Sequence, residues 1–461
     1  MKKKLLLILP VDRSVVHFNA VAPPLGLGIV AALTPPDWEV EIVDENFDKF
    51  DYRKADLVGI SSWTVNINRA YEIAALYRQN NTPVVMGGAH VSALPDEALG
   101  YCDHVVVGGA EDVWEQFMAD FAQGKAQQVY RSAYTARFVK PRHDLFHKDY
   151  ILGAIQTTRG CPLNCEFCYV TALAGHKYYR KDPAEVVAEL AEIPQKFVFF
   201  IDDNLGGFSS RHEEEAIALF EKMTEKKVNK YWYTQTSINF AASEKLYRAA
   251  ARSGCGSVLI GFEAENIEGL ESINKHLNIK KDPALYPLYV SRLQKSGIAV
   301  IAATIFGLET DNDETLLRRA EFLKHIKAAS ITATFLTPFP GTRLFSRMQQ
   351  EGRLVYGNYP HDWKYYNLRY ATYKPENEND IAAYEDKVRR LMLTAYTPCR
   401  LFIRALHTLA TTRNFIAMLH SYSANLKYRN FIRGKKNSYY KLRLVVTRLL
   451  MGNVSRVKKK A

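Results

Sequence analysis

From about residue 151 to residue 345 the chain alternates short β-rich runs with helical stretches, and this alternation limits its fold more than any other feature. The β-rich runs are KFVFFI, YWYTQT, SVLIGF, AVIAATIFG and SITATFLT; the helical ones are PAEVVAELAEI, RHEEEAIALFEKMTEK, SEKLYRAAARS and DETLLRRAEFLKHIK. Strand, helix, strand with connections this long predicts a parallel sheet, because parallel neighbours need a crossover and antiparallel ones do not. A partial or complete TIM-type (β/α) barrel over 151–350 follows, with its ligands at the C-terminal ends of the strands. The polar residues fall there. Asp202 and Asp203 follow Ile201, Gln235 and Thr236 follow Tyr233, and Glu263 follows Ile260 and Gly261.

Residues 1–125 repeat the alternation in a second unit. The runs LLLILP, EVEIVD, DLVGISS, TPVVMGG and HVVVGG read as strands separated by helices such as NRAYEIAALYRQ and EDVWEQFMADFAQ. This predicts an open, doubly wound, Rossmann-like α/β sheet whose ligand site lies at the carboxyl ends of its strands. Those ends are small and polar: Gly59, Ser61, Ser62 and Thr64, then Gly87, Gly88 and His90, then Gly108, Gly109 and Glu111. Such positions let a ligand approach the backbone closely. Residues 126–150 have no apolar period and read as a linker; residues 351–461 read as a helical C-terminal region with a basic amphipathic tail.

Only six cysteines are present, yet three of them, Cys161, Cys165 and Cys168, crowd into TTRGCPLNCEFCYV. Disulfide staples suit small secreted domains, which a chain of 461 residues is not. The start, MKKKLLLILPVDRS, has an apolar run too short for a signal peptide, and no uncharged run approaches the ~20 residues of a membrane span. A cytoplasmic chain with reduced thiols is the expectation. Zinc normally draws four ligands from two separated pairs, and no second pair exists. Three thiolates spaced x3 then x2 can instead hold three irons of a cubic [4Fe–4S] cluster and leave the fourth open to a ligand.

CPLNCEFC resembles the C-x3-C-x-aromatic-C signature of the radical S-adenosylmethionine enzymes. The likeness continues through FFIDDN, YWYTQTS, LIGFEAEN, IFGLETDNDET and LTPFPGTRLF. In that family the open iron chelates S-adenosylmethionine, and one electron from the cluster cleaves it to a 5′-deoxyadenosyl radical. The resemblance implies that Cys161, Cys165 and Cys168 hold the cluster, and that Phe167, Asp202, Asp203, Gln235 and Glu263 line the S-adenosylmethionine site. It also implies a reducing partner such as flavodoxin or ferredoxin.

GISSWT, GGAHVS and GGAED resemble the cobalamin-binding domain that precedes the radical core in one large branch of the family. By that resemblance Ser61, Ser62, Thr64, Gly87, Gly88, His90, Gly108, Gly109 and Glu111 face cobalamin. The D-x-H-x-x-G motif that ligates cobalt elsewhere is absent. His17 has the wrong spacing after Asp12, and His90 is expected to cap a loop, so the expected binding is base-off without a histidine ligand. The methylthiotransferases, which ligate a second cluster with three cysteines in the N-terminal domain, are set aside because only Cys102 lies there.

The stretch from FLTPFPGTRL through QQEGRLV looks like the hopanoid methylases and the bacteriochlorophyll side-chain methylases. This implies methylation of an unactivated carbon on a hydrophobic isoprenoid lipid or tetrapyrrole. A radical cyclase or ring-contracting enzyme with the same cofactors is the alternative, and a non-catalytic iron–sulfur redox sensor is the alternative of another class.

The charge of +12 has one source. Residues 387–461 carry 18 Lys and Arg and no acid, which leaves 43 basic against 49 acidic residues elsewhere, a net of −6. Basic residues interleaved with Leu, Ile, Phe and Tyr in LFIRALHTLATTRNFIAMLHSYSANL suit a helix lying on an anionic membrane face, with Arg404 and Arg413 preventing a span. A helical cap packed on the barrel is the other reading; nucleic acid is not expected.

Overall fold

The computed structural model describes residues 2–15, 22–376, 378 and 380–435. His17 and the 436–461 part of the basic tail lie outside them.

The first sheet has six parallel strands, β1 (Lys3–Leu9), β2 (Trp38–Asp44), β3 (Leu57–Ser61), β4 (Val84–Gly87), β5 (His104–Val107) and β6 (Val129–Arg131), in the order β2-β1-β3-β4-β5-β6. Its central strands are apolar on both faces, as Leu5 to Ile8 of β1 show, because helices cover each side. The reversal of strand order beside β1 is the doubly wound pattern. The stretch expected as linker contributes β6, so the first unit reaches past residue 125; β6 is only three residues long and has no alternation to betray it.

The second unit begins with β7 (Leu152–Ile155). A two-stranded antiparallel ribbon, β8 (Thr158–Arg159) with β9 (Tyr179–Arg180), then brackets the cysteines. Next come β10 (Phe197–Phe200), β11 (Tyr231–Thr236), β12 (Cys255–Glu263), β13 (Ala299–Phe306) and β14 (Ser330–Phe335). β7 and β10–β14 pair in parallel in sequence order, giving a six-stranded partial barrel rather than a closed one of eight. Its helices start at side-chain caps. Asp182 caps Pro183–Glu192, and Asn312 with Thr315 forms a capping box on Asp313–His325.

A partial barrel leaves an edge at β14, whose backbone groups need partners. Asn425 supplies them: its Oδ1 accepts from Ile331 N at 3.2 Å and its Nδ2 donates to Ala329 O at 3.0 Å, copying the pairing of a missing strand. Asn425 lies on the helix Phe415–Ile432, which forms a hairpin with Pro398–Thr412. The described part of the tail therefore packs on the barrel as two helices. Arg404 is not a surface charge. It is buried, donates to Ala395 O at 3.2 Å and Leu323 O at 3.1 Å, and burial brings its pKa down to about 10. Arg413 sits at the left-handed turn between the helices, with φ of 53°.

The rims of the two sheets touch. Tyr150 OH donates to Asp44 at the end of β2, Lys177 Nζ donates to Ala133 O at 2.6 Å, and Arg159 of β8 pairs with Glu111 beyond β5. Phe345, together with Trp363 and Tyr366 of the C-terminal region, completes the core of the first unit.

Candidate functional site

The cysteine loop opens at Gly160, whose φ is 84°; a Cβ there would lie 2.2 Å from Lys177 O, so the turn into Cys161 requires glycine. Cys161 and Cys165 are buried and Cys168 is partly exposed, with Cys168 N donating to Cys165 O at 3.2 Å. Burial pushes the Cys161 thiol up to about 12 and that of Cys165 up as well; metal binding at such thiols would release their protons.

The loop is braced from three sides. Asp203 accepts from Gly160 N at 2.9 Å. Asp202, fully buried, accepts from Thr157 N at 2.6 Å, Thr158 N at 2.7 Å and the Thr157 hydroxyl; burial raises its pKa to about 6 against the pull of those bonds. Glu166 pairs with Arg347 at 2.8 Å, and Asn164 O accepts from Asn274 at 2.5 Å and Arg343 at 2.7 Å. Both aspartates are thus engaged in holding the backbone that delivers Cys161.

Glu263 ends β12 with φ of 63°, an unusual value for a non-glycine residue, and the register of β12 against β13 shifts between Gly261 and Glu263. The bulge turns its carboxylate back over Gly261, where a Cβ would lie 2.1 Å from Oε1. That oxygen accepts from Lys275 Nζ at 2.9 Å. Burial works against the Lys275 charge, but Glu263 beside it and the neighbouring Cys165 hold its pKa above the usual lysine value. Lys275 also lies 5.9 Å from the Phe167 ring centroid, which places Phe167, Glu263 and the cysteine loop together. Gln235 projects exposed from β11.

Lys275 and Asn204 were not singled out in the sequence. Asn204 Nδ2 approaches Cys161 Sγ at 4.0 Å while its Oδ1 accepts from Ser237 N and Oγ. Only its place in FFIDDN hinted at it; Lys275, twelve residues after Glu263, carried no signal.

Several buried polar atoms at this rim have no protein partner: Thr236 Oγ1, Glu265 Oε1, both amide atoms of Asn266, and Arg180 Nη1. Buried polar atoms of this kind are normally hydrogen-bonded, so those at the rim can receive a polar ligand. The donor set of three thiols fits a cluster with an open iron. Among the described residues no three His, Cys, Asp or Glu side chains converge on one metal-ion position. Thiolates that grip separate irons of a cluster stand farther apart than that.

In the first unit Ser62 Oγ is buried without a partner. Gly88 has φ of 97°, and a Cβ on it would lie 2.5 Å from Ser62 O; one on Gly109 would lie 2.7 Å from Glu111 Oε2. This rim, with Ser61, Gly87 and Gly108 beside it, is a cradle of bare backbone. His90 is buried with both ring nitrogens engaged, Nδ1 by Thr64 Oγ1 and Nε2 by Glu97 Oε1, each at 3.2 Å. It clamps the loop, as expected. Glu111 gives its carboxylate to Arg159.

Residues 14–118 match the family model for the B12 binding domain, and residues 155–323 match that for the Radical SAM superfamily. The chain belongs to the cobalamin-binding radical S-adenosylmethionine enzymes. A relative, the bacteriochlorophyllide d C-8(2)-methyltransferase of Chlorobaculum tepidum, is 27% identical over 87% of this chain and 94% of its own. The hopanoid C-2 methylase of Rhodopseudomonas palustris is 28% identical over 77% and 72%. The radical S-adenosylmethionine methyltransferase TsrM from Kitasatospora setae shares the fold, with a TM-score of 0.67 at 17% identity over 94% of this chain and 98% of its own. The contact of Arg159 with Glu111 joins the strand-end rim of the first sheet to the strand that leads to the cysteine loop.

Proposed function

We propose that this enzyme methylates an unactivated carbon of a hydrophobic isoprenoid lipid or tetrapyrrole. The observation that carries the reading is the apposition of the two strand-end rims, joined at Arg159–Glu111, so that a methyl carrier on one and a radical source on the other address a single gap. When bound, the cluster and S-adenosylmethionine supply a 5′-deoxyadenosyl radical, and cobalamin supplies a transferable methyl group.

The chain's own residues divide the remaining work. Cys161, Cys165 and Cys168 would hold the cluster, with Asp202 and Asp203 fixing their backbone. Phe167, Gln235, Glu263 and Lys275 would position S-adenosylmethionine. Ser61, Ser62, Thr64, Gly87, Gly88, Gly108 and Gly109 would seat cobalamin, with His90 and Glu111 supporting the cradle. On β10 the side chains of Val198 and Phe200 pack toward the helices, which leaves Phe197 and Phe199 on the inner face of the barrel. Phe199 stacks on Tyr233 with centroids 4.3 Å apart and planes at 2°. A flat aromatic wall of this kind suits a hydrophobic substrate and excludes water.

The names of the relatives support the substrate class, and the acid-free 387–461 segment supports peripheral attachment to an anionic membrane. A flavodoxin or ferredoxin would supply the electron. No helix among the described residues is long and apolar enough to cross a membrane. The test is anaerobic turnover of the reconstituted, reduced protein with S-adenosylmethionine bearing a trideuterated methyl group, offered a bacteriochlorophyllide or a hopanoid. A product 17 mass units heavier, three deuteriums and a carbon replacing one hydrogen, is expected by mass arithmetic. Failure of both substrate classes to gain label in protein that still cleaves S-adenosylmethionine would overturn the substrate class.

A further inference from the structure

The hairpin of Pro398–Thr412 and Phe415–Ile432 carries apolar side chains on both faces. Toward the barrel it turns Leu401, Ala405, Ala417, Phe431 and Ile432, with the polar Arg404, Thr408, Thr412, Ser421 and Asn425 buried among them. Toward solvent it turns Phe402, Ile403, Leu406, Phe415, Ile416 and Tyr422. An ordinary surface helix keeps its large apolar residues on the inward face. The described residues have 14 exposed large hydrophobic side chains, and six of them stand on this one hairpin. Scattered exposed apolar residues are normal, whereas a group gathered on one element marks a surface that meets something apolar.

Charge identifies what it meets. Residues 387–435 contain ten Lys and Arg and no Asp or Glu, and the following 436–461 add eight more basic residues and no acid. Arg413 is exposed at the turn of the hairpin, directly before Phe415 and Ile416, and Arg433 and Lys435 are exposed at its far end. Glu321, on the Asp313–His325 helix, is the acid whose field reaches Arg400, and it is already paired with Lys324 at 2.5 Å. Apolar side chains framed by cations without acids match the interface of an anionic bilayer, where rings and aliphatic chains enter the headgroup region and Lys and Arg meet phosphates.

Resting on the peripheral-membrane reading above, we propose that this hairpin face is the attachment surface for an anionic lipid bilayer, entered by Phe415 and Ile416 at the tip and by Phe402, Ile403 and Leu406 along the first helix. The placement also fixes orientation. Ser421 and Asn425 bond Ala329 just before β14, whereas Phe431 O accepts from Arg369 near the end of that strand, so the helix runs alongside β14 from its start to its end. The tip therefore lies at the barrel end away from the cysteine loop. The attachment residues run along the side of the barrel from that end, so the strand-end rim is not itself the attached face.

The experiment is co-sedimentation of the full chain with phosphatidylcholine vesicles, with and without a quarter phosphatidylglycerol, at low and high salt. Beside it run F402S/I403S/F415S/I416S and a chain ending at Lys435, with circular dichroism and iron content as checks of folding. Wild-type protein binds anionic vesicles in a salt-sensitive manner, the fourfold variant loses at least about tenfold in partitioning, and the shortened chain retains binding that is still sensitive to those four residues. If wild type ignores vesicles or lipid charge, the peripheral reading itself fails. If wild type binds and the fourfold variant binds equally, the tail carries attachment and the hairpin assignment fails. A fourfold variant that turns a dimer into a monomer without changing vesicle binding would show a self-association face and also overturn it.

Discussion

Arg159 and Glu111 form a buried ion pair that joins β8, two residues before Cys161, to the strand-end rim of the first sheet. The guanidinium is held further by Arg137 O at 3.1 Å and by the Phe138 ring at 5.1 Å. A contact of this kind ties the approach to the cysteine loop to the strand-end rim of the first sheet.

Removing one partner strands the other charge in the interior. Arg159→Met should cost about 3–5 kcal/mol, and the double variant Arg159→Met/Glu111→Leu should recover much of it, because a buried pair is readily replaced by packed apolar groups. Denaturation midpoints of the four proteins of the cycle measure this. A double variant whose loss equals the sum of the two single losses would mean that the pair is not coupled.

The bulge at Glu263 yields a sharper expectation. Gly261→Ala drives a methyl group into the Glu263 carboxylate, and Lys275→Met leaves that carboxylate buried without its ion pair. Each should weaken S-adenosylmethionine binding by about tenfold or more, the cost of one lost charge-assisted contact. Equilibrium dialysis with labelled S-adenosylmethionine reads the effect, and iron content should stay unchanged. Loss of iron instead would make these residues supports of the cluster loop.

How far this site is legible in the sequence depends on the kind of signal. The strands were legible because β10–β14 are apolar runs between amphipathic helices, and the cysteines because their spacing is local. β6 and β7, of three and four residues, were too short to show a period. Asp202 was placed at the right rim, yet its task of bonding Thr157 and Thr158 depends on a partner 45 residues away. Arg404 was illegible for a related reason: it reads as a surface charge until Leu323 O and Ala395 O, one of them 81 residues distant, are folded beside it.

Cobalamin should bind base-off. His90 is committed to Thr64 and Glu97, so the Co(II) form should show no nitrogen superhyperfine splitting from a histidine in its electron paramagnetic resonance spectrum. Trp63, at the end of β3, is the exposed one of five tryptophans, so cobalamin should quench its emission and Trp63→Phe should abolish that component. Histidine splitting would mean that His90 leaves its clamp or that His17 reaches the cobalt.

Acid should loosen the clamp under the cradle. Burial works to raise the Glu97 pKa, but bonds from His90, Trp363 and Tyr71 outweigh it and hold the carboxyl below the ordinary glutamate value of 4.5. A depressed carboxyl contributes stability that is fully present above 4.5 and is lost as the pH falls through its lower folded value. Wild type should therefore lose its advantage over Glu97→Gln below about pH 4.5, as thermal melts across pH 3.5 to 6 would show. A constant difference across that range would contradict the shift.

The central claim is radical methylation through cobalamin, and the ratio of its two co-products tests it most directly. With Cys161, Cys165 and Cys168 intact, each methyl delivered to a tetrapyrrole or hopanoid should be matched by one S-adenosylhomocysteine and one 5′-deoxyadenosine. The triple alanine variant should lose its iron and form no 5′-deoxyadenosine. Substrate consumed with 5′-deoxyadenosine in step and no S-adenosylhomocysteine would contradict methylation and point to cyclisation or ring contraction.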